Sequence, residues 1–118
     1  MGMVIDWNID LIFETSEIRE EHMDRICDLV KESGLFNPDE FCCIDVGCAS
    51  VTTWTSNWSA SEEMEDLLHR IAMEAPCSIV AYHQAEGGSE YKDTYEGRSI
   101  VHYRPIIEWI QSSCEERD

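Results

Sequence analysis

The chain has 118 residues, enough for one domain with a single core. Its 25 Asp and Glu against 8 Lys and Arg give a formal net charge of -17, which argues against binding nucleic acid or an anionic membrane and for a cationic partner. At 43 % hydrophobic, with four tryptophans, it is too apolar for a disordered acidic tail, so the acid is expected on a folded surface.

From Met3 to Glu14 the sequence alternates. Met3, Ile5, Trp7, Ile9, Leu11 and Phe13 fall on one face, and Asp6, Asn8, Asp10 and Glu14 on the other. A period of two predicts a first strand with one buried and one wet face. Thr15 or Ser16 then caps a helix running to about Ser33, with Gly34 as its stop. Ile18, His22, Ile26, Leu29 and Val30 form its buried stripe. Asn37-Pro38-Asp39 is a turn.

Residues 41–58 are rich in β-branched and aromatic side chains, and Ile44, Val46 and Cys48 alternate with Asp45 and Gly47. The stretch is long for one strand and is expected to fold back near Gly47–Ser50. Ser59 and Glu62 have capping-box spacing for a second helix to about Ala75, with Met64, Leu67, Leu68, Ile71 and Ala75 inward and Pro76 behind it. Cys77–Gln84, apolar on both faces, reads as an interior strand. Tyr91–Tyr95 and Ser99–Tyr103 form a hairpin around Glu96-Gly97-Arg98. Pro105 opens a short C-terminal helix through Ile106, Ile107 and Ile110. The expected fold is α+β: a ferredoxin-like βαββαβ antiparallel sheet with two helices on one face, plus a C-terminal hairpin and short helix. It makes one acidic domain over residues 1–114, with a frayed tail at 115–118.

Residues 1–76 carry 17 acids against 4 bases, and residues 77–118 carry 8 against 4. In the expected fold Asp6, Asp10 and Glu14 line the open side of the sheet. Glu17, Glu20, Glu21, Asp24, Asp28 and Glu32 stud the first helix, several of them as like-charge pairs four apart, which are mildly destabilising. Glu62, Glu63, Glu65 and Asp66 open the second helix, where its N-terminal dipole favours them. Carboxylates held on rigid elements can imitate phosphates and occupy a Lys- and Arg-lined groove. The bland alternative is a solvated acidic surface.

Cys27, Cys42, Cys43, Cys48, Cys77 and Cys114 contain no C-x-x-C pair, and no metal or cofactor site is assigned. Cys27, Cys42, Cys48 and Cys77 read as small core residues, and Cys43 and Cys114 as candidates for exposure. The first fifteen residues hold three acids and no base, unlike a secretory signal, so the expected location is the cytoplasm, with reduced thiols. His83 and His102 lie on late strands and could do acid–base chemistry together, but no nucleophile or phosphate loop accompanies them. Trp54 and Trp58 are either interface anchors or, for at least one of them, packed under the second helix. Tyr91 and Tyr95, on one side of a strand beside Glu90, Asp93 and Glu96, are candidates for an exposed contact, or simply a cross-strand pair.

Small, single-domain and strongly acidic, with M-V-I-D-W-N-I-D-L-I-F-E and no catalytic motif, the chain resembles phage-encoded inhibitors of bacterial defence: anti-CRISPR proteins and antirestriction DNA mimics. The resemblance carries no site residues across. It implies a non-enzymatic inhibitor, acting in the host cytoplasm as monomer or homodimer, that occupies the DNA-binding channel of a CRISPR effector complex or another defence protein. The expected partner-binding residues are Asp6, Asp10, Glu14, Glu17, Glu20, Glu21, Asp24, Asp28, Tyr91 and Tyr95. The alternatives are an adaptor that binds through its C-terminal hairpin and helix, and a small enzyme using His83 and His102.

Overall fold

Alternation builds β1, Ile5–Phe13, in which Ile5, Trp7, Ile9, Leu11 and Phe13 are all buried and the intervening residues are more open. The computed structural model describes residues 4–44, 47–105 and 109–118; Met3, Asp45, Val46, Ile106 and Ile107 of the expected elements lie outside them. α1, Ser16–Ser33, starts where the Thr15 hydroxyl accepts from the Ile18 N–H at 3.1 Å. It stops at Gly34, whose φ of 68° is left-handed. A short 3-10 turn at Pro38–Glu40, capped by Asn37, leads to β2 (Cys42–Ile44) and β3 (Cys48–Thr55). Then come α2 (Trp58–Glu74), β4 (Cys77–Ala85), β5 (Glu90–Glu96), β6 (Ser99–Pro105) and β7 (Trp109–Glu116).

The fold is α+β: the described residues form two helices and a seven-stranded sheet in the order β2-β3-β1-β4-β5-β6-β7, every neighbouring pair antiparallel. Both helices pack on the face that carries Trp7 and Ile9. Ile26, Leu29 and Val30 of α1 and Met64, Leu67, Leu68 and Ile71 of α2 close the core over β1, β3 and β4. Each such side chain contributes roughly 1.5–3 kcal/mol by leaving water. The buried Trp7 indole N–H donates to the Thr55 hydroxyl at 3.0 Å, and that hydroxyl meets Ser61 Oγ at 3.2 Å, so this polar core group is satisfied.

Four expectations are corrected. The hairpin is not a separate appendage: β5 and β6 continue the same sheet beyond β4, which pairs with β1 on one edge and β5 on the other. The C-terminal segment is not a helix from Pro105. Pro105 ends β6, and Trp109–Glu116 pairs with β6 as β7, where ladder hydrogen bonds outweigh the helix-starting preference of proline. β7 continues through Glu115 and Glu116, where the sequence places a frayed tail, and the Arg117 N–H donates to Arg98 O at 2.9 Å. Finally, α2 is capped by Asn57, whose side chain accepts from the Ala60 N–H at 2.7 Å, and not by a Ser59–Glu62 box.

The β2–β3 turn also falls earlier than Gly47–Ser50, since β3 has begun at Cys48. Gly47 sits at φ 93° and its carbonyl accepts from the Phe13 N–H at 2.7 Å. A Cβ there would lie 2.5 Å from Phe13 O, so the close approach of this turn to the end of β1 requires glycine.

Candidate acidic interface

The inward stripe of α1 leaves one side of the helix to solvent, and on that side stand Glu17, Glu20, Glu21, Asp24, Asp28 and Glu32, all exposed. Six carboxylates over sixteen residues, at 1.5 Å per residue, give about one per 4 Å, close to the one per 3.4 Å of axis on a nucleic-acid strand. Among the described residues none of the six takes part in an ion pair. The pairs fall elsewhere. Glu74 takes Arg25 and Arg70, each at 3.0 Å, Arg117 reaches Asp66 and Glu115, and Arg98 reaches Glu116 and Asp118. Desolvation is the largest single influence on Glu74 and acts upward, but the hydrogen bonds and charges of Arg25 and Arg70 together outweigh it and hold the carboxyl below its usual range.

α2 extends the acidic surface with exposed Glu62, Glu63 and Asp66. Because the helix begins at Trp58, its first turn contains no acid, and the dipole explanation of this cluster falls away. A groove of about 290 Å³ runs between the two helices. Leu29, Leu35 and Leu67 line it, with Glu32, Glu63, Asp66 and one cation, Arg70, around them. That combination suits the aliphatic stem and charged head of a lysine or arginine.

The predicted site residues do not form one surface. Asp6 and Asp10 are on the open side of the sheet, opposite the helices, and Asp10 accepts a hydrogen bond from the Ser50 hydroxyl. Glu14 is exposed in the connection between β1 and α1. Only the α1 acids and those of α2 share a side. Tyr95 is 1 % exposed, so it is a core residue and not a contact, because the period of two turns Tyr91, Asp93 and Tyr95 towards the helices. Tyr91 is exposed and stacks on His83 at 5.8 Å. Trp54 and Trp58 are both 59 % exposed, so neither packs under α2. Trp54 shares the open side with Asp6, its direct cross-strand neighbour.

The open side also holds a group absent from the sequence expectation. Tyr82 lies 5.7 Å from Trp109, and the Lys92 ammonium sits 4.4 Å over the Tyr103 ring and 5.3 Å from that of Trp109. One of the few cations is thereby held on aromatic faces.

His83 and His102 do come close, through a residue that sequence reasoning did not single out. Asp93 of β5 is 3 % exposed, and its two oxygens meet His83 Nε2 at 3.1 Å and His102 Nδ1 at 2.7 Å. His102 Nε2 then meets Glu115 at 3.1 Å. Asp93 sits two residues from both Tyr91 and Tyr95, and that shared side of the strand is the signal for it in the sequence.

Of the cysteines, Cys77 is buried and its thiol is pushed up to about 11 by desolvation, while Cys27 is half-buried and raised by desolvation and then by Asp24 and Asp28. Cys43 and Cys114 are exposed, and so is Cys42, which the sequence places in the core; β2 is a short sheet edge and leaves both neighbours accessible. Among the described residues no group of His, Cys, Asp and Glu is arranged to hold a metal ion. No described helix is long and apolar enough to cross a membrane. Compared with protein-family models, curated proteins and solved structures, the chain matches none of them.

Proposed function

We propose that this protein is an inhibitory binding protein of the anti-CRISPR type, working in the cytoplasm of a bacterial host, whose helix layer occupies a Lys- and Arg-lined groove that a defence complex uses to hold DNA. The observation that supports this most is the α1 stripe: six exposed acids, from Glu17 to Glu32, without ion pairs among the described residues. Each like-charge pair four apart costs a few tenths of a kcal/mol, roughly 0.2–0.5, so the stripe is a load that a cationic partner would relieve. The acids of α2 and the leucine-lined groove extend the same side. Asp6, Asp10 and Glu14 belong to a different aspect of the molecule, and the reading gives them no direct part in that contact.

The fold reading behind this takes β1–β4 with α1 and α2 as a ferredoxin-like core and β5–β7 as a meander added to its β4 edge. The neighbour order β2-β3-β1-β4, with a helix in each of the two crossovers, supports it. An adaptor working through the C-terminal hairpin and helix has less support, since Tyr95 is buried and Trp109–Glu116 is a strand and not a helix. An enzyme built on His83 and His102 has less support too, because both ring nitrogens of His102 are engaged by carboxylates.

The test is a DNA-binding competition. The protein is incubated at low salt with a purified CRISPR effector complex, and retention of labelled target DNA is measured. Inhibition that weakens steeply as salt rises, and that is lost in the Glu20→Lys, Asp24→Lys, Asp28→Lys triple variant, is expected. Inhibition unaffected by salt or by the triple substitution would refute charge mimicry.

A further inference from the structure

His102 has a carboxylate oxygen opposite each ring nitrogen: Asp93 Oδ1 at 2.7 Å from Nδ1 and Glu115 Oε1 at 3.1 Å from Nε2. An ionised carboxylate can only accept a hydrogen bond. Both contacts are therefore made only when the ring carries both protons. A neutral ring would set a nitrogen lone pair against a carboxylate oxygen at one of the two ends. The contacts also cross the sheet. His83 of β4 and Asp93 of β5 lead to His102 of β6 and Glu115 of β7; Glu115 accepts from Arg117 at 3.0 Å, and Arg117 donates to Asp66 of α2 at 3.2 Å.

We propose that His102 is a proton-operated latch. As an imidazolium it fastens the C-terminal strand β7, through Glu115, to the buried Asp93 of β5. On losing a proton it releases the Glu115 end of β7.

Asp93 and Glu115 meet the ring directly, and the other titratable and charged groups of the surrounding network come from β4, β5, β7 and α2. β5 supplies Asp93 and the buried Tyr95, whose hydroxyl has no hydrogen-bond partner among the described residues. β4 supplies His83, β7 supplies Glu115 and Arg117, and α2 supplies Asp66 and the half-buried Glu65. Desolvation, and after it Asp93, push the Glu65 carboxyl upward. Around His102 itself, burial disfavours the charge, but the bonds to Asp93 and Glu115 outweigh it and raise the pKa above 6.5. The bond from His102, followed by the smaller opposing effect of desolvation, leaves Glu115 below its ordinary 4.5.

The signs fix the working range. A raised histidine stabilises the fold in full below its unfolded value and loses that contribution as pH rises through the folded one. A lowered carboxylate does so above its unfolded value and loses it as pH falls. The latch is therefore fully closed between 4.5 and 6.5 and opens progressively as pH climbs past 6.5.

The test needs only the full chain. Histidine ring resonances are followed by NMR from about pH 5 to 9, alongside amide hydrogen-exchange protection in β7 and in β1. His102 is expected to titrate above 6.5, with β7 protection falling in step while β1 holds. Replacing Glu115→Gln removes one carboxylate but keeps an acceptor, so the His102 titration should move back down and the pH dependence of β7 should shrink. Titration of His102 at or below 6.5, or equal loss of protection in β1 and β7, would overturn the latch. A midpoint unchanged in Glu115→Gln would overturn it as well.

Discussion

Two regions of this molecule treat the same side chain in opposite ways. Along α1, Glu17, Glu20, Glu21, Asp24, Asp28 and Glu32 stand in water without ion pairs among the described residues. Under the β4–β7 half of the sheet, Asp93 and Glu115 are held by His83, His102 and Arg117 within 3.1 Å. Neighbouring acids destabilise the helix slightly and are free to meet a partner; the acids of the sheet are part of the fold itself. Net charge alone, though useful for choosing a partner class, does not separate these roles. Burial and hydrogen bonding do.

The largest effect is expected at the buried end of this contrast. Asp93→Ala leaves two histidine rings without their shared acceptor and should lower the unfolding free energy by about 3–5 kcal/mol, read from urea denaturation near neutral pH. A loss below about 1 kcal/mol would place Asp93 with the solvated acids. The Glu20→Lys, Asp24→Lys, Asp28→Lys variant should go the other way, with stability unchanged or raised by about 1 kcal/mol as like-charge pairs are relieved. Clear destabilisation there would erase the distinction between the two regions. The smallest effect is expected for the exposed Arg25–Glu74 pair, where Arg25→Gln should cost about 0.2–1 kcal/mol and matter less still as salt is raised.

Much of the fold could be read from local pattern. The alternation of β1 located its core residues, and Thr15 and Gly34 bracketed α1, because these signals are carried by residues close in sequence. The end of the chain was less legible. Pro105 is a fair helix start in isolation, and only the unpaired edge of β6, set by distant pairing, decides for a strand. The candidate site divided in the same way. The α1 stripe follows from helical spacing alone. That Asp6 and Asp10 face away from it depends on which side of the sheet the helices cover. Asp93 is barely legible in the sequence, because an acid between Glu90 and Glu96 looks like one more surface charge. Its partners, ten residues before it and nine after, appear only once β4, β5 and β6 lie in register.

The position of β1 has a consequence for how the chain comes to be folded. It is the first strand to be synthesised, yet it lies between β3 and β4, so its second neighbour is made only about sixty residues later. Until then Trp7, Ile9, Leu11 and Phe13 have an incomplete sheet to join, and the nascent protein exposes these core side chains. The wet side of that strand, carrying Asp6, Asn8 and Asp10, interrupts the apolar run at alternate positions and so guards against aggregation during that interval.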